Sequence, residues 1–268
     1  MNDTLQGRSA GAARRVRPVP AVSRAIAILR LLGSSPEPMG VKAIAQSLGL
    51  VTSTCLHILR VLVDEQLVRV DPGTKRYSLG VGMLLFARKV LESTRFPSLV
   101  QPTLDGLSTA WSITAIGVQI ASLDHMVVLA LSRSSLPFSL HVDVGSRFPA
   151  LISATGRLVA AFGGFPRKEV EARFRSLRWH RSPDLKTWRR EIESARRDGY
   201  SIDRGNYIAG VTLIAAPVRD AQGVLTHTLV AAGMVDQLKA GHSVALAKQM
   251  CAEARRIADL LSSRGDRP

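Results

Sequence analysis

Three short apolar stripes follow one another at helical spacing between residues 25 and 63, and this succession constrains the fold more than any other feature of the chain. Ala25, Ile28, Leu29 and Leu32 form the first, Val41, Ile44, Ala45 and Leu48 the second, and Cys55, Ile58, Leu59, Leu62 and Val63 the third. Recurrence at three- and four-residue intervals marks helices that each bury one face. Ser23 is placed to cap the first helix and Gly33 to end it, while Gly49 stops the second. Only a few residues around Gly49 separate the second helix from the third, the tight connection that a helix-turn-helix needs. An apolar run from Leu67 to Val70, the turn "DPGT" and a second run ending in Tyr77 and Leu79 then read as a hairpin. Three helices and a two-stranded ribbon in this order make a winged helix-turn-helix plan.

With the third stripe turned inward, the opposite face of that helix shows Thr52, Ser53, Leu56, His57 and Arg60. Thr52 is placed as the N-cap. Ser53 and Thr54 sit where hydroxyls and free backbone N–H groups meet phosphate, and His57 and Arg60 lie one and two turns farther along, within reach of base edges or backbone. Lys75 and Arg76, beside the hairpin turn, complete the candidate DNA-binding set. The alternative is a structural three-helix bundle with a polar outer face. Charge favours the DNA reading: Lys plus Arg number 36 against 21 Asp plus Glu, a net +15 that suits polyanionic partners, nucleic acid before an anionic membrane surface. Residues 167–197 hold much of that excess, but Glu169, Glu171, Glu191 and Glu193 are interleaved there, which reads as a solvated helical face.

After Gly80, Met83, Phe86, Ala87, Val90 and Leu91 share one helical face, and Leu84 and Leu85 add apolar surface beyond it. A helix apolar past one stripe needs a second partner, so this segment is expected to link the domains and to pair two chains, with Pro97 ending it. From residue 98 the pattern turns to strands, at 114–121, 126–132, 138–144, 211–218 and 224–232, around helical, charged sequence at 166–198, with a closing helix from Ser243 to Leu261. The expected class is α+β with an antiparallel sheet in the C-terminal part. The expected organisation is a disordered basic arm at 1–20, a winged helix-turn-helix domain at 21–80, a linker and dimerisation helix at 81–96, and an effector-binding domain at 97–268.

"AIAQSLGLVTSTCLHILRVLVDEQLVRV", followed by "YSLG", resembles the DNA-binding domain of the IclR family of bacterial transcriptional regulators. "VGSRFP…SATGRLVAAF" resembles that family's effector-domain loop, and "GYSIDRGNYIAGVTLIAAPVRDAQGVL" its second signature. The likeness runs from about Val22 to Leu261, with three separate motifs in order. It implies a winged helix-turn-helix, a linker helix, a GAF-like domain for a small organic effector, and homodimers or tetramers on palindromic double-stranded operators.

The chain also departs from the family pattern. On the third helix Thr52 stands where a lysine is common, Leu56 where an aromatic is common and His57 where an arginine is common. Arg14, Arg15 and Arg17 can compensate along the DNA backbone, or belong to a tail without contacts; a module whose DNA recognition has decayed is the competing function. In the effector domain, Leu151 and Leu213 replace polar family positions, Arg157 follows "SATG", and Arg204 and Gly205 follow Asp203. The resemblance assigns effector binding to Ser153, Ala154, Thr155, Gly156, Asp203 and Leu213. Backbone N–H groups at Ser153–Gly156 suit a carboxylate and Leu213 an apolar body, so an acid with an apolar or aromatic body is the expected effector; substitutions that only repack the core are the alternative.

Other functions find little support. Two cysteines, Cys55 and Cys251, each inside an apolar helical pattern, give neither a disulfide framework nor a zinc site. Ser153 has no base at a recognisable spacing, Asp124–His125 reads as a turn, and strand alternation accounts for His141 and Asp143 without a metal. No catalytic residue, metal or cofactor is expected, nor any membrane partner, and "RGD" at 264–266 is a coincidence of the tail. No apolar run approaches a membrane span, and a cytoplasmic location is the expectation.

Overall fold

The computed structural model describes residues 19–133 and 142–263. The chain divides between Ser93 and Thr94 into two compact units. The N-terminal unit holds α1 (Pro20–Ser34), β1 (Met39–Gly40), α2 (Val41–Leu48), α3 (Thr52–Asp64), β2 (Val68–Val70), β3 (Arg76–Leu79) and α4 (Met83–Ser93). Its core is built from the faces that the stripes specify: Ile28 and Leu32 of α1, Ile44 and Ala45 of α2, and Cys55, Leu59 and Leu62 of α3, closed by Val68 and Tyr77 from the wing.

Several local expectations change. Ser23 does not cap α1, because Pro20 can occupy the first turn, where its missing N–H costs nothing, and the helix begins three residues earlier. Gly33 lies inside α1, which ends at Ser34. The wing has three strands in the order β1-β3-β2, since Met39 and Gly40 pair with Tyr77 and Arg76. Gly49 does end α2, in the left-handed conformation (φ +62°) that favours glycine.

The C-terminal unit contains α5 (Phe96–Trp111), β4 (Thr114–Ile120), β5 (Met126–Ser132), β6 (Arg147–Phe148), α6 (Ser153–Phe162), α7 (Arg167–Phe174), α8 (Leu185–Asp198), β7 (Ser201–Arg204), β8 (Val211–Arg219), β9 (Leu225–Met234) and α9 (Ala240–Ser262). Six strands form one antiparallel sheet, ordered β6-β5-β4-β9-β8-β7. Alternation along the strands supplies two cores. One face, with Ala115, Ile214, Leu229 and Ala231, packs on α5 and α9 through Val100, Leu104, Leu246 and Met250. The other, with Ile116, Val118, Leu213 and Val230, packs on α6 and α8 through Leu158 and Trp188. The fold is α+β, as expected.

Two elements differ from the sequence reading here. Pro97 opens α5 rather than merely ending its predecessor, and "SATG" is the first turn of α6 rather than a loop. The strand expected at 138–144 falls partly outside the described residues; Val142 to Val144 are not in a strand, and the short β6 pairs with β5 instead. His141, residues 1–18 of the expected basic arm and the 264–266 tail also lie outside the described residues, while Pro20, expected in that arm, opens α1.

Candidate nucleic-acid interface and effector cavity

In the N-terminal unit, α2 and α3 meet at 113°, within the range that lets a second helix enter a major groove. The buried residues Cys55, Leu59 and Leu62 fix the roll of α3, so Thr52, Ser53, His57 and Arg60 are exposed and Thr54 is half-buried. Thr52 is not the N-cap. Val51 holds that position with extended backbone, and its side chain cannot accept a hydrogen bond. The first intrahelical bond is donated by Cys55 to the Val51 carbonyl at 3.0 Å. The N–H groups of Thr52, Ser53 and Thr54 therefore lack an intrahelical acceptor and remain available to an anion. Among the described residues His57 and Arg60 make no hydrogen bond or ion pair.

The wing turn is fixed from within. Asp71 accepts from the Thr74 N–H at 2.6 Å and its hydroxyl at 2.7 Å, which holds the Asp71 carboxyl below its usual range. Lys75 follows with φ +54°, and its exposed ammonium stands at the tip. Arg76, the other candidate from this turn, donates to the Pro38 carbonyl at 2.9 Å and so braces the wing against the entry to β1.

In the C-terminal unit a cavity of about 310 Å³ opens between the sheet and the start of α6. Ile116, Val118, Met126, Val128, Leu213 and Val230 form its sheet wall, Phe148, Ile152 and Val142 a second side, and Tyr207 with Ile208 a third. Among the described residues, polar side chains enter only at Ser153 and Thr155 of α6 and at Tyr207. Ser153 adopts a left-handed backbone (φ +62°), an uncommon conformation for a residue with a side chain and one that collects at binding sites. Thr155 is 2% exposed, and among the described residues its hydroxyl makes no hydrogen bond. Burial also raises the Tyr207 hydroxyl above its usual pKa, so it stays protonated and can donate.

The expected effector residues thus separate. Ser153, Thr155 and Leu213 share this cavity. Ala154 and Gly156 lie in the same helical turn but do not line it; a Cβ on Gly156 would sit 1.9 Å from the Leu151 carbonyl oxygen, so this glycine permits a backbone contact. Asp203 pairs with Leu213 across β7 and β8 and so shares its face of the sheet, but it does not line the cavity: it is fully buried and consumed by structure. Arg157 donates to it at 3.1 Å, to the Ser153 carbonyl at 2.7 Å and to Glu191 at 2.8 Å. The second Asp203 oxygen accepts from the N–H groups of Asn206 and Tyr207 at 2.9 and 3.3 Å. This buried pair holds the Tyr207 turn and the start of α6 together behind the wall. Sequence reasoning did not find Tyr207, Phe148 or Ile116, whose apolar character carries no positional signal.

A helix-turn-helix reading head and an apolar cavity in a separate unit define a class, the ligand-responsive regulators of transcription. Residues 88–259 match the model for the bacterial transcriptional regulator IclR C-terminal domain, and residues 21–72 match the IclR helix-turn-helix domain. The chain belongs to the IclR family. It is a DNA-binding transcriptional regulator with an effector-binding C-terminal domain, in a family of regulators and not of enzymes. It is 27% identical over 226 residues to a glycerol operon regulatory protein of Streptomyces griseus, covering 83% of this chain and 87% of that one. It is 25% identical over 246 residues to the transcriptional repressor AllR of Klebsiella pneumoniae, covering 90% and 89%. In fold it is similar to an IclR regulator of Alicyclobacillus acidocaldarius (TM-score 0.77, 22% identity, 90% of this chain and 98% of that one). A Microbacterium hydrocarbonoxydans IclR homologue solved with 4-hydroxybenzoate is also similar (TM-score 0.73, 18% identity, 90% and 99%). No single helix among the described residues is long and apolar enough to cross a membrane.

Proposed function

We propose that the cavity binds a small organic acid with an apolar or aromatic body, and that its occupancy controls how α3 and the wing hold a palindromic operator. The observation that carries this reading is the distribution of polarity: hydrocarbon walls, with hydroxyl groups confined to Ser153 and Thr155 at the α6 N-terminus and to Tyr207. A carboxylate at that helix end meets the N–H groups of Ser153 and Thr155, that of Ala154 being taken by the Ser153 hydroxyl oxygen, and the positive end of the helix dipole. The body gains about 25 cal/mol for each Å² of apolar surface removed from water against Leu213, Ile116 and Val230. The 4-hydroxybenzoate bound by the structural neighbour is an acid of this kind. The DNA contacts we assign are Ser53, Thr54, His57, Arg60 and Lys75, with Thr52 contributing its backbone N–H and Arg76 bracing the wing. The working unit is a homodimer or tetramer, paired through α4.

The test is a thermal-shift and DNA-release screen of aromatic and aliphatic acids, repeated on Leu213→Asp. Aromatic acids should stabilise the wild type and alter its operator binding, while the variant keeps operator binding and loses the response. A response to small polar acids alone, such as glyoxylate, or an unaltered response in Leu213→Asp, would discard the assignment.

A further inference from the structure

Residues 167–197 look self-neutralised in sequence, but the structure accounts for each acid there individually. Glu171 is shared by Arg167 at 2.7 Å and Arg189 at 2.8 Å. Glu193 holds Arg196 at 2.9 Å, and Glu169 lies 3.7 Å from Arg173. Glu191 turns inward to the buried Arg157. Asp184 caps α8 by accepting from the Thr187 N–H at 2.9 Å and its hydroxyl at 2.8 Å. Every acid is therefore committed. Arg175, Arg178 and Arg181, in the segment between α7 and α8, and Lys186, Arg190 and Arg197 on α8 are all exposed, and among the described residues none of the six has an ion-pair partner.

The three on α8 are spaced i, i+4 and i+11, within about 40° of one another around the helix axis, and they span roughly 16 Å at 1.5 Å per residue. They lie opposite the stripe of Trp188, Ile192 and Ala195 that buries the helix. Uncompensated like charge on one face opposes folding rather than aiding it. A linear cationic array of this length suits a polyanion with regularly spaced charge better than it suits one small anion, and guanidinium forks match phosphate geometry.

We propose that α8 and the segment before it make a second, sequence-independent contact with duplex DNA, on phosphates flanking the site that α3 reads. The contact is independent of what fills the effector cavity. It adds affinity and salt dependence without adding base preference.

The experiment uses the full chain and the triple variant Lys186→Gln, Arg190→Gln, Arg197→Gln, whose exposed positions should leave thermal unfolding unchanged. Binding is measured across a salt series to a palindrome selected from random-sequence duplex, on a short fragment ending at the palindrome and on a long one with several helical turns of flanking DNA. The wild type should bind the long fragment more tightly. On that fragment the variant should lose about tenfold in affinity at low salt, and its log–log salt slope should become shallower by about 2–3, near 0.9 for each lost phosphate contact. On the short fragment the two proteins should coincide. An unchanged slope on the long fragment, or an equal loss on both fragments, overturns the proposal. Unchanged DNA binding with a lost contact to RNA polymerase also overturns it and assigns the face to a protein partner.

Discussion

His57 and Arg60 are the side chains to which we assign base reading by α3. Both are exposed on the face opposite the buried stripe, so His57→Ala and Arg60→Ala should each weaken specific operator binding by about 1–3 kcal/mol without lowering thermal stability. Wild-type affinity for a selected palindrome, measured by titration, would remove that residue from the reading surface. His227 makes a different kind of prediction. Its ring stacks on Phe96 at 4.1 Å, and burial pushes its pKa down from 6.5 to about 4. The folded protein thus keeps this imidazole neutral where the unfolded chain takes up a proton. Its contribution to stability is complete above pH 6.5 and is lost as pH falls toward 4, a difference on the order of 3 kcal/mol. His227→Phe should flatten that part of the profile: urea midpoints for wild type and variant should diverge between pH 7.5 and pH 5. Parallel curves would show that the ring is not held neutral.

At the scale of elements, α4 shows exposed apolar side chains among its described residues. Leu84, Leu85 and Phe86 are 67%, 71% and 58% exposed, an apolar surface on a short helix that water disfavours. Phe86→Glu should place an unpaired charge in the pairing surface, so the variant should sediment as a smaller species and bind the palindrome poorly. An unchanged sedimentation coefficient would move the interface to another element. The side chains of Val90 and Leu91, also expected on this face, lie outside the described residues.

Which elements were legible follows from their local physics. The strands β4, β5, β8 and β9 were readable because runs such as "MVVLALS" and "VTLIAAPV" suit a pleated, buried strand. α5 was not, because Pro97 was read only as the end of the preceding helix. Pro97 in fact sits in the first turn, where no N–H is needed, and the stripe of Phe96, Val100, Leu104 and Leu107 carries the helix past Pro102. α6 was hidden by its small residues, which close packing demands: Gly156 lies against the Leu151 backbone, and the Ser201 hydroxyl donates to the Ala154 carbonyl at 2.5 Å. Part of the cavity, Ser153, Thr155 and Leu213, came from family resemblance. The Arg157–Asp203 pair joins positions 46 residues apart, and no local pattern announces such a pairing.

At the scale of the whole molecule, each unit has a core of its own, so heating should produce two transitions. A bound acid should raise the C-terminal one by mass action and leave the N-terminal one in place. Calorimetry with and without the ligand would decide this, and a single transition moving as a whole would contradict it. The cavity has a further consequence for the regulator inside a cell. An apolar ligand bound in the cavity of about 310 Å³ would stabilise the folded C-terminal unit by mass action, so the bound protein should open less readily to proteases. A metabolite bound there, as proposed, should prolong the life of each copy it binds, which a proteolysis time course with and without the acid would check. Supply of the signal would then set how many regulators are present as well as what they do, giving the circuit a slow memory of past exposure alongside its fast response.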